Sequence, residues 1–225
     1  EHREWENQMD SSTQFNIESS PLVSAVKDAL PIMLGVIPFG LTCGLMGITV
    51  GLTPFETVLM SALVFAGASQ LAAMMLIGST AATIGIVVFT TLVINLRHIL
   101  MSAALAPFMQ KAPPFKKLLL AFTLTDESFA LTTNYIVKYG YNAGYQLGTG
   151  VMIYLSWLLS TAAGVLLTSQ IEDPLAWGLD FAMPASFIVL LIQRLQDRNS
   201  KIIVLIAAVV SVAGALLMPG KWYII

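Results

Sequence analysis

Charge is what this chain of 225 residues has least of. Asp, Glu, Lys and Arg together make up 11% of it, against about 25% in an ordinary soluble domain. A soluble protein of this length needs a charged surface around its core, and these residues do not supply one. A net charge of −2 offers no basic face for a nucleic acid. The single cysteine, Cys43, excludes an intramolecular disulfide and a thiol-rich metal site. Set among Thr42, Gly44 and Leu45, it reads as a packed small residue rather than a reactive thiol. No metal-ligand spacing appears, so neither a metal nor any other cofactor is expected. A G-x-x-x-x-G-K-[ST] loop is also missing, which excludes ATP as the chain's own energy source.

What the chain has instead is apolar length. From Thr57 to Leu96 forty residues pass without a charged side chain, enough for about two membrane spans of roughly 20 residues each. Further uncharged runs extend from Ala29 to Phe55, Tyr139 to Ile171 and Ile202 to Gly220. The reading is an all-α, polytopic membrane protein with about seven apolar segments: 22–51, 56–77, 81–108, 116–137, 144–169, 175–194 and 201–218. Residues 1–20 read as a polar tail ahead of a transmembrane domain over 21–225. The opening residue is not Met, and the chain stops in the apolar Trp222-Tyr223-Ile224-Ile225. The expectation is therefore a start that is not the native one and a last helix cut short.

Topology raises a conflict that one segment can resolve. Basic clusters mark cytoplasmic loops, and they occur at Lys111, Lys116 and Lys117 and again at Arg194, Arg198 and Lys201. If segments four, five and six all cross, the two clusters fall on opposite sides. Segment four is the weakest, because Thr123, Thr125, Asp126, Glu127, Ser128, Thr132, Thr133 and Asn134 crowd its middle. It is expected to be broken or re-entrant, lined by protein or water. An internal echo fits this. Gly44 to Pro54 repeats as Gly164 to Pro174, and Phe65-Ala66 as Phe181-Ala182. Repeats over 22–108 and 144–218, separated by a non-crossing 116–137, would be inverted, with interrupted helices in matching places. Chance likeness between apolar helices is the competing explanation.

Polar groups inside apolar segments mark a site or a pathway by default. Gly67, Ala68, Ser69 and Gln70 lie near the middle of segment two. The glycine would let the backbone unwind, exposing amides to a substrate carboxylate and carbonyls to its ammonium. The plainer alternative is an intact helix, with Ser69 bonded to the preceding turn and Gln70 to a neighbouring helix. In segment three Thr91, Asn95, His98 and Ser102 share one helical stripe. Arg97 points about 100° away, as a pathway residue or as a snorkelling one. His98 reads as a proton carrier or as a neutral structural group. Asp126 and Glu127 in segment four suit an ammonium ligand or a proton relay, unless Thr125 or Asp126 simply caps a restarting helix. Pro184 and Ser186 in segment six would make the break that matches Gly67–Ser69.

Four motifs in this order resemble the AzlC-type family of branched-chain amino-acid exporters: Gly35-Val36-Ile37-Pro38-Phe39-Gly40, Phe65-Ala66-Gly67-Ala68-Ser69-Gln70, Asn95-Leu96-Arg97-His98-Ile99-Leu100-Met101 and Thr125-Asp126-Glu127-Ser128-Phe129-Ala130. The likeness runs from about Pro21 onward. It implies export of valine, leucine, isoleucine and, at the margin, methionine across the bacterial inner membrane. It also implies a separately encoded, small hydrophobic AzlD-like partner. Secondary transport by alternating access is the expectation, with the substrate head group at Gly67–Gln70 and Asn95, and with proton coupling through Asp126, Glu127 or His98. A channel or structural subunit is the alternative. A remote one is an intramembrane serine hydrolase pairing Ser69 with His98, although Gly67-Ala68-Ser69-Gln70 lacks the second glycine of G-x-S-x-G.

Overall fold

The structure, a computed structural model, describes residues 20–78, 83–110, 112–168 and 198–217. All its regular elements there are helical. In chain order they are α1 (Pro21–Thr49), α2 (Pro54–Val64), α3 (Gly67–Ile77), α4 (Ile84–Leu105), a 3-10 turn (Ala106–Met109), α5 (Pro114–Phe122), α6 (Asp126–Tyr139), α7 (Ala143–Thr168) and α8 (Arg198–Leu217). Among the described residues, three helical stretches are long and apolar enough to cross a membrane: Pro21–Thr49, Ile84–Met109 and Ala143–Thr168. They fall on expected segments one, three and five. Segments two and four are each two half-helices, and α8 covers segment seven. Segment six, with Pro184 and Ser186, lies outside the described residues.

Helix starts follow local chemistry. Ser20 caps α1, whose first residue is Pro21, and proline is tolerated there because its missing N–H has no helical partner anyway. The helix continues through Pro31 and Pro38. At α2, Thr53 accepts from Glu56 N–H while the Glu56 carboxylate accepts from Thr53 N–H, a reciprocal cap that satisfies two free donors.

The central contact is α1 against α7. Lipid is as apolar as leucine, so helices in a membrane associate through close backbone packing rather than through water exclusion. Small residues make that approach possible here. A methyl group on Gly40 would overlap Ser160, one on Gly44 would overlap the Thr161 carbonyl, and one on Gly164 would overlap the Leu41 carbonyl. Gly148 admits Ala25 of α1 in the same way. Gly44 and Gly164, the two ends of the sequence echo, therefore sit against one another's helix. The buried core beside them contains Val36, Cys43, Phe65, Leu71, Met74, Ile153 and Trp157. Cys43 is fully buried, as a packed small residue should be.

Gly35 has open space where a side chain would go. Gly44→Ala should therefore lower stability by about 1–3 kcal/mol through overpacking against backbone, while Gly35→Ala is neutral or stabilises by up to about 1 kcal/mol. Thermal unfolding of both variants in detergent checks the contrast.

A candidate substrate site at two helix breaks

The two interrupted helices are interrupted in different ways. Between α2 and α3 the chain passes through Phe65 in the left-handed region (φ 44°) and an Ala66 with φ −135° and ψ 77°. Phe65 is the sole non-glycine residue with positive φ among those described, a conformation that persists only when its surroundings hold it. They do so with aromatic rings. Tyr154 of α7 meets Phe65 edge-on at 5.0 Å, and Phe122 of α5 lies 6.4 Å from Phe65 and 5.6 Å from Tyr154. The Tyr154 hydroxyl also donates to the Ala62 carbonyl at 3.0 Å, near the end of α2.

The sequence reading put the unwound point at Gly67–Gln70, and the structure moves it. Those four residues form the first turn of α3, and the break is Phe65–Ala66. Conformational freedom is not what Gly67 contributes. A methyl group there would sit 2.7 Å from Cη2 of Trp157, so the missing side chain admits an indole ring. Ser69 donates to the Ala66 carbonyl at 2.9 Å. Gln70 folds back over the break, where its Oε1 accepts from Ala66 N–H at 3.3 Å and its amide donates to Ser61 at 3.0 Å. Ser61 passes a hydrogen bond on to Thr161 of α7 at 3.1 Å. Gln70, Ser61 and Thr161 are all fully buried, so this chain of bonds ties α2, α3 and α7 together away from solvent.

The second break, Thr123–Thr125, joins α5 to α6. Here Thr125 is the cap: it accepts from Ser128 N–H, and Ser128 accepts from Thr125 N–H at 2.9 Å and donates to the Thr123 carbonyl at 3.1 Å. Segment four is thus broken where its hydroxyls crowd, with the capping that the sequence suggested. Gly150 of α7 lies against Thr123, where a side chain would collide. Gly150, Tyr154 and Trp157 therefore bring one helix against both breaks, near the midpoint of a candidate span.

Asn95, Arg97 and His98 reach this region from α4. The Asn95 amide donates to Ser69 at 3.1 Å, and its Oδ1 is buried without a partner. Arg97 pairs with Asp126, the first residue of α6, and so ties α4 to the second break; the two side chains are 38% and 24% exposed. His98 faces the Asn95 carbonyl through Nδ1 at 3.3 Å, within electrostatic reach of Arg97, Asp126 and Glu127. Asn95, Arg97, His98, Asp126 and Glu127 are therefore one neighbourhood. The Ser69 proton goes to a backbone carbonyl and His98 turns to Asn95, so the nucleophile–base pair of a hydrolase is not formed. Sequence reasoning missed Tyr154, Trp157, Thr161 and Ser61. Their one available signal was a polar or amphipathic side chain inside an uncharged run.

The Gln70 clamp makes a direct prediction. Gln70→Leu leaves the buried Ala66 N–H and the Ser61 hydroxyl each short of a partner, and should destabilise the fold by about 1–3 kcal/mol. Equilibrium or thermal unfolding in detergent, beside the wild type, measures it.

Comparison with known proteins agrees with this description of an apolar helical chain. The AzlC protein family matches residues 31–171. An uncharacterized membrane protein of Archaeoglobus fulgidus is 34% identical over 173 residues, covering 76% of this chain and 74% of the relative. The inner membrane protein YgaZ of Escherichia coli K12 is 31% identical over 190 residues, covering 81% and 76%. The branched-chain amino acid transport protein AzlC of Bacillus subtilis 168 is 28% identical over 204 residues, covering 90% and 79%. No solved structure matches the chain. The matched stretch contains α2 through α7 and both helix breaks, and the chain belongs to the AzlC family.

Proposed function

We propose that this protein is the large subunit of a secondary transporter that exports branched-chain amino acids across a bacterial inner membrane, working with a small AzlD-like partner. The observation that carries the reading is the meeting of two interrupted helices against the middle of α7, with Asn95 Oδ1 buried and unpaired beside them. Interrupted helices expose backbone groups to polar solutes only where protein lines a path. The name of the Bacillus subtilis relative supports the substrate class; export and the partner rest on the family resemblance.

In this reading Gly67, Ala68, Ser69, Gln70 and Asn95 make the head-group region, joined by Pro184 and Ser186 of segment six. Gln70 positions the break, since both ends of its amide are engaged. Arg97, His98, Asp126 and Glu127 form the polar pathway and coupling group. Apolar neighbours take the branched side chain. A methylene there changes affinity by only about 1–3 kcal/mol, which favours tolerance among valine, leucine and isoleucine. The inverted-repeat organisation (22–108 and 144–218) is part of the proposal, and the mutual approach of Gly44 and Gly164 supports it.

Leucine counterflow in proteoliposomes holding this chain and its small partner tests the function. Trans-stimulated leucine uptake, competed by valine and isoleucine and not by lysine, is expected. A folded complex without counterflow would sink the carrier reading in favour of a channel or structural subunit. Glu127→Gln should flatten the pH dependence of that transport while leaving the protein folded. An unchanged pH profile in a well-folded variant would remove Glu127 from coupling.

A further inference from the structure

Each broken segment turns back on itself. α2 leaves the end of α1, with Thr57 packed on Gly47 and Ser61 beside Cys43 at 3.7 Å. These contacts step along α1 from its last turn towards its middle. α3 follows the same stretch in reverse. Its Gln70 meets Ser61 at 3.0 Å and Cys43 at 3.9 Å, and Gly78 at its end lies against Val50, which follows α1. Gly78 stands eight residues beyond Gln70, about 12 Å further along the helix. Had α3 continued inward, Gly78 would face α1 near Gly35 instead. Both arms therefore open on the face where α1 ends.

The second segment does the same from the far end of α4. α5 begins just past the 3-10 turn, where Lys117 donates to the Gln110 carbonyl at 3.0 Å. α6 starts at Asp126, paired with Arg97 at the middle of the Ile84–Met109 stretch. It then runs back alongside α4. Ile136 packs on the cluster containing Met101, Leu105 and Met109, and Tyr141, just beyond α6, stacks on Phe108 at 5.6 Å. The two hairpins share their construction. Each opens with Pro-Phe, as Pro54-Phe55 and Pro114-Phe115. Past each tip a serine donates to the carbonyl three residues earlier, Ser69 to Ala66 at 2.9 Å and Ser128 to Thr125 at 3.3 Å. α4 holds both tips, through Asn95 to Ser69 and Arg97 to Asp126.

We infer that α2–α3 and α5–α6 are re-entrant hairpins, entered from opposite membrane faces, whose tips α4 latches at mid-depth. α4 begins at Ile84, six residues after Gly78. Six residues reach at most about 21 Å, too short to recross a hydrocarbon core of about 30 Å. α4 therefore starts on the face where the first hairpin opens and ends on the face where the second does. Non-crossing backbone is tolerated at membrane depth where protein encloses it, and α7 packs on both tips. The inference goes beyond the proposed transport function and rests on it in one respect. Each hairpin is then the barrier between the shared site and its own face.

Crosslinking tests the first hairpin in the full chain. In a Cys43→Ser background, Val50→Cys and Gly78→Cys should join on mild oxidation. A Gly78 Cβ would stand 3.5 Å from Val50 Cβ, inside the disulfide range of about 3.5–4.5 Å. Two thiols that stay free in the folded chain overturn that hairpin. Sidedness is read in right-side-out and inside-out vesicles. With an impermeant maleimide, Phe55→Cys and Thr83→Cys should react from one face. With an impermeant amine reagent on the unsubstituted chain, Lys117 and Lys138 should react from the other. Members of either pair reacting from opposite faces, or both pairs from one face, overturn the arrangement. For the latch, Arg97→Gln should speed labelling of Leu124→Cys from the second hairpin's face alone. The expected gain is about tenfold or more, as loss of a hydrogen bond to a charged group allows. Equal acceleration from both faces, or none, overturns the barrier role. None of these readings needs a transported solute. The expected labelling without counterflow leaves the hairpins standing and removes the carrier; counterflow with contrary labelling does the reverse.

Discussion

Every backbone N–H and C=O in a membrane-spanning chain needs a partner from within the protein, and this constraint organises the whole structure. An uninterrupted helix meets most of it alone, although in α1 Pro31 and Pro38 each lack the N–H that would reach the carbonyl one turn earlier. An interrupted one does not. The Phe65–Ala66 break frees groups that Gln70, Ser69 and Tyr154 then occupy, and the Thr123–Thr125 break is closed by Thr125 and Ser128. At the first break no side chain caps the α3 amides, whereas at the second Thr125 accepts from Ser128 N–H. The first turn of α3 carries no acidic residue, while that of α6 presents Asp126 and Glu127.

One helix serves both breaks. α7 combines a glycine at Thr123, a tyrosine at Phe65 and Ala62, a tryptophan at Gly67 and a threonine at Ser61 within three turns. The same helix packs on α1 through Ser160, Thr161 and Gly164. Movement of α1 relative to α7 would therefore be felt at both breaks, as the proposed alternating-access cycle would use.

Much of this was legible in the residues. The scarcity of charge identified a membrane protein, hydroxyl crowding located the second break and its cap, and four motifs identified the family. The break in segment two was also expected, but two residues too late. A glycine beside polar residues looks like the hinge, whereas the strained position is a phenylalanine held by rings from α5 and α7. The Gln70 contribution was open between ligand and neighbour for the same reason. Its acceptor end is used four residues away, but its donor end depends on which serine the fold brings near.

By itself the sequence determined helical spans, their interruptions and the stock of polar groups available to the interior. These are local properties, set by run length, turn chemistry and capping within a few residues. Which helix faces which was decided by tertiary structure alone. An apolar helix in lipid carries no strong amphipathic stripe, because lipid and protein interior are equally apolar. Ser61 with Thr161 and Gly67 with Trp157 are pairs about a hundred residues apart. Close backbone packing selects them, and no periodicity announces it.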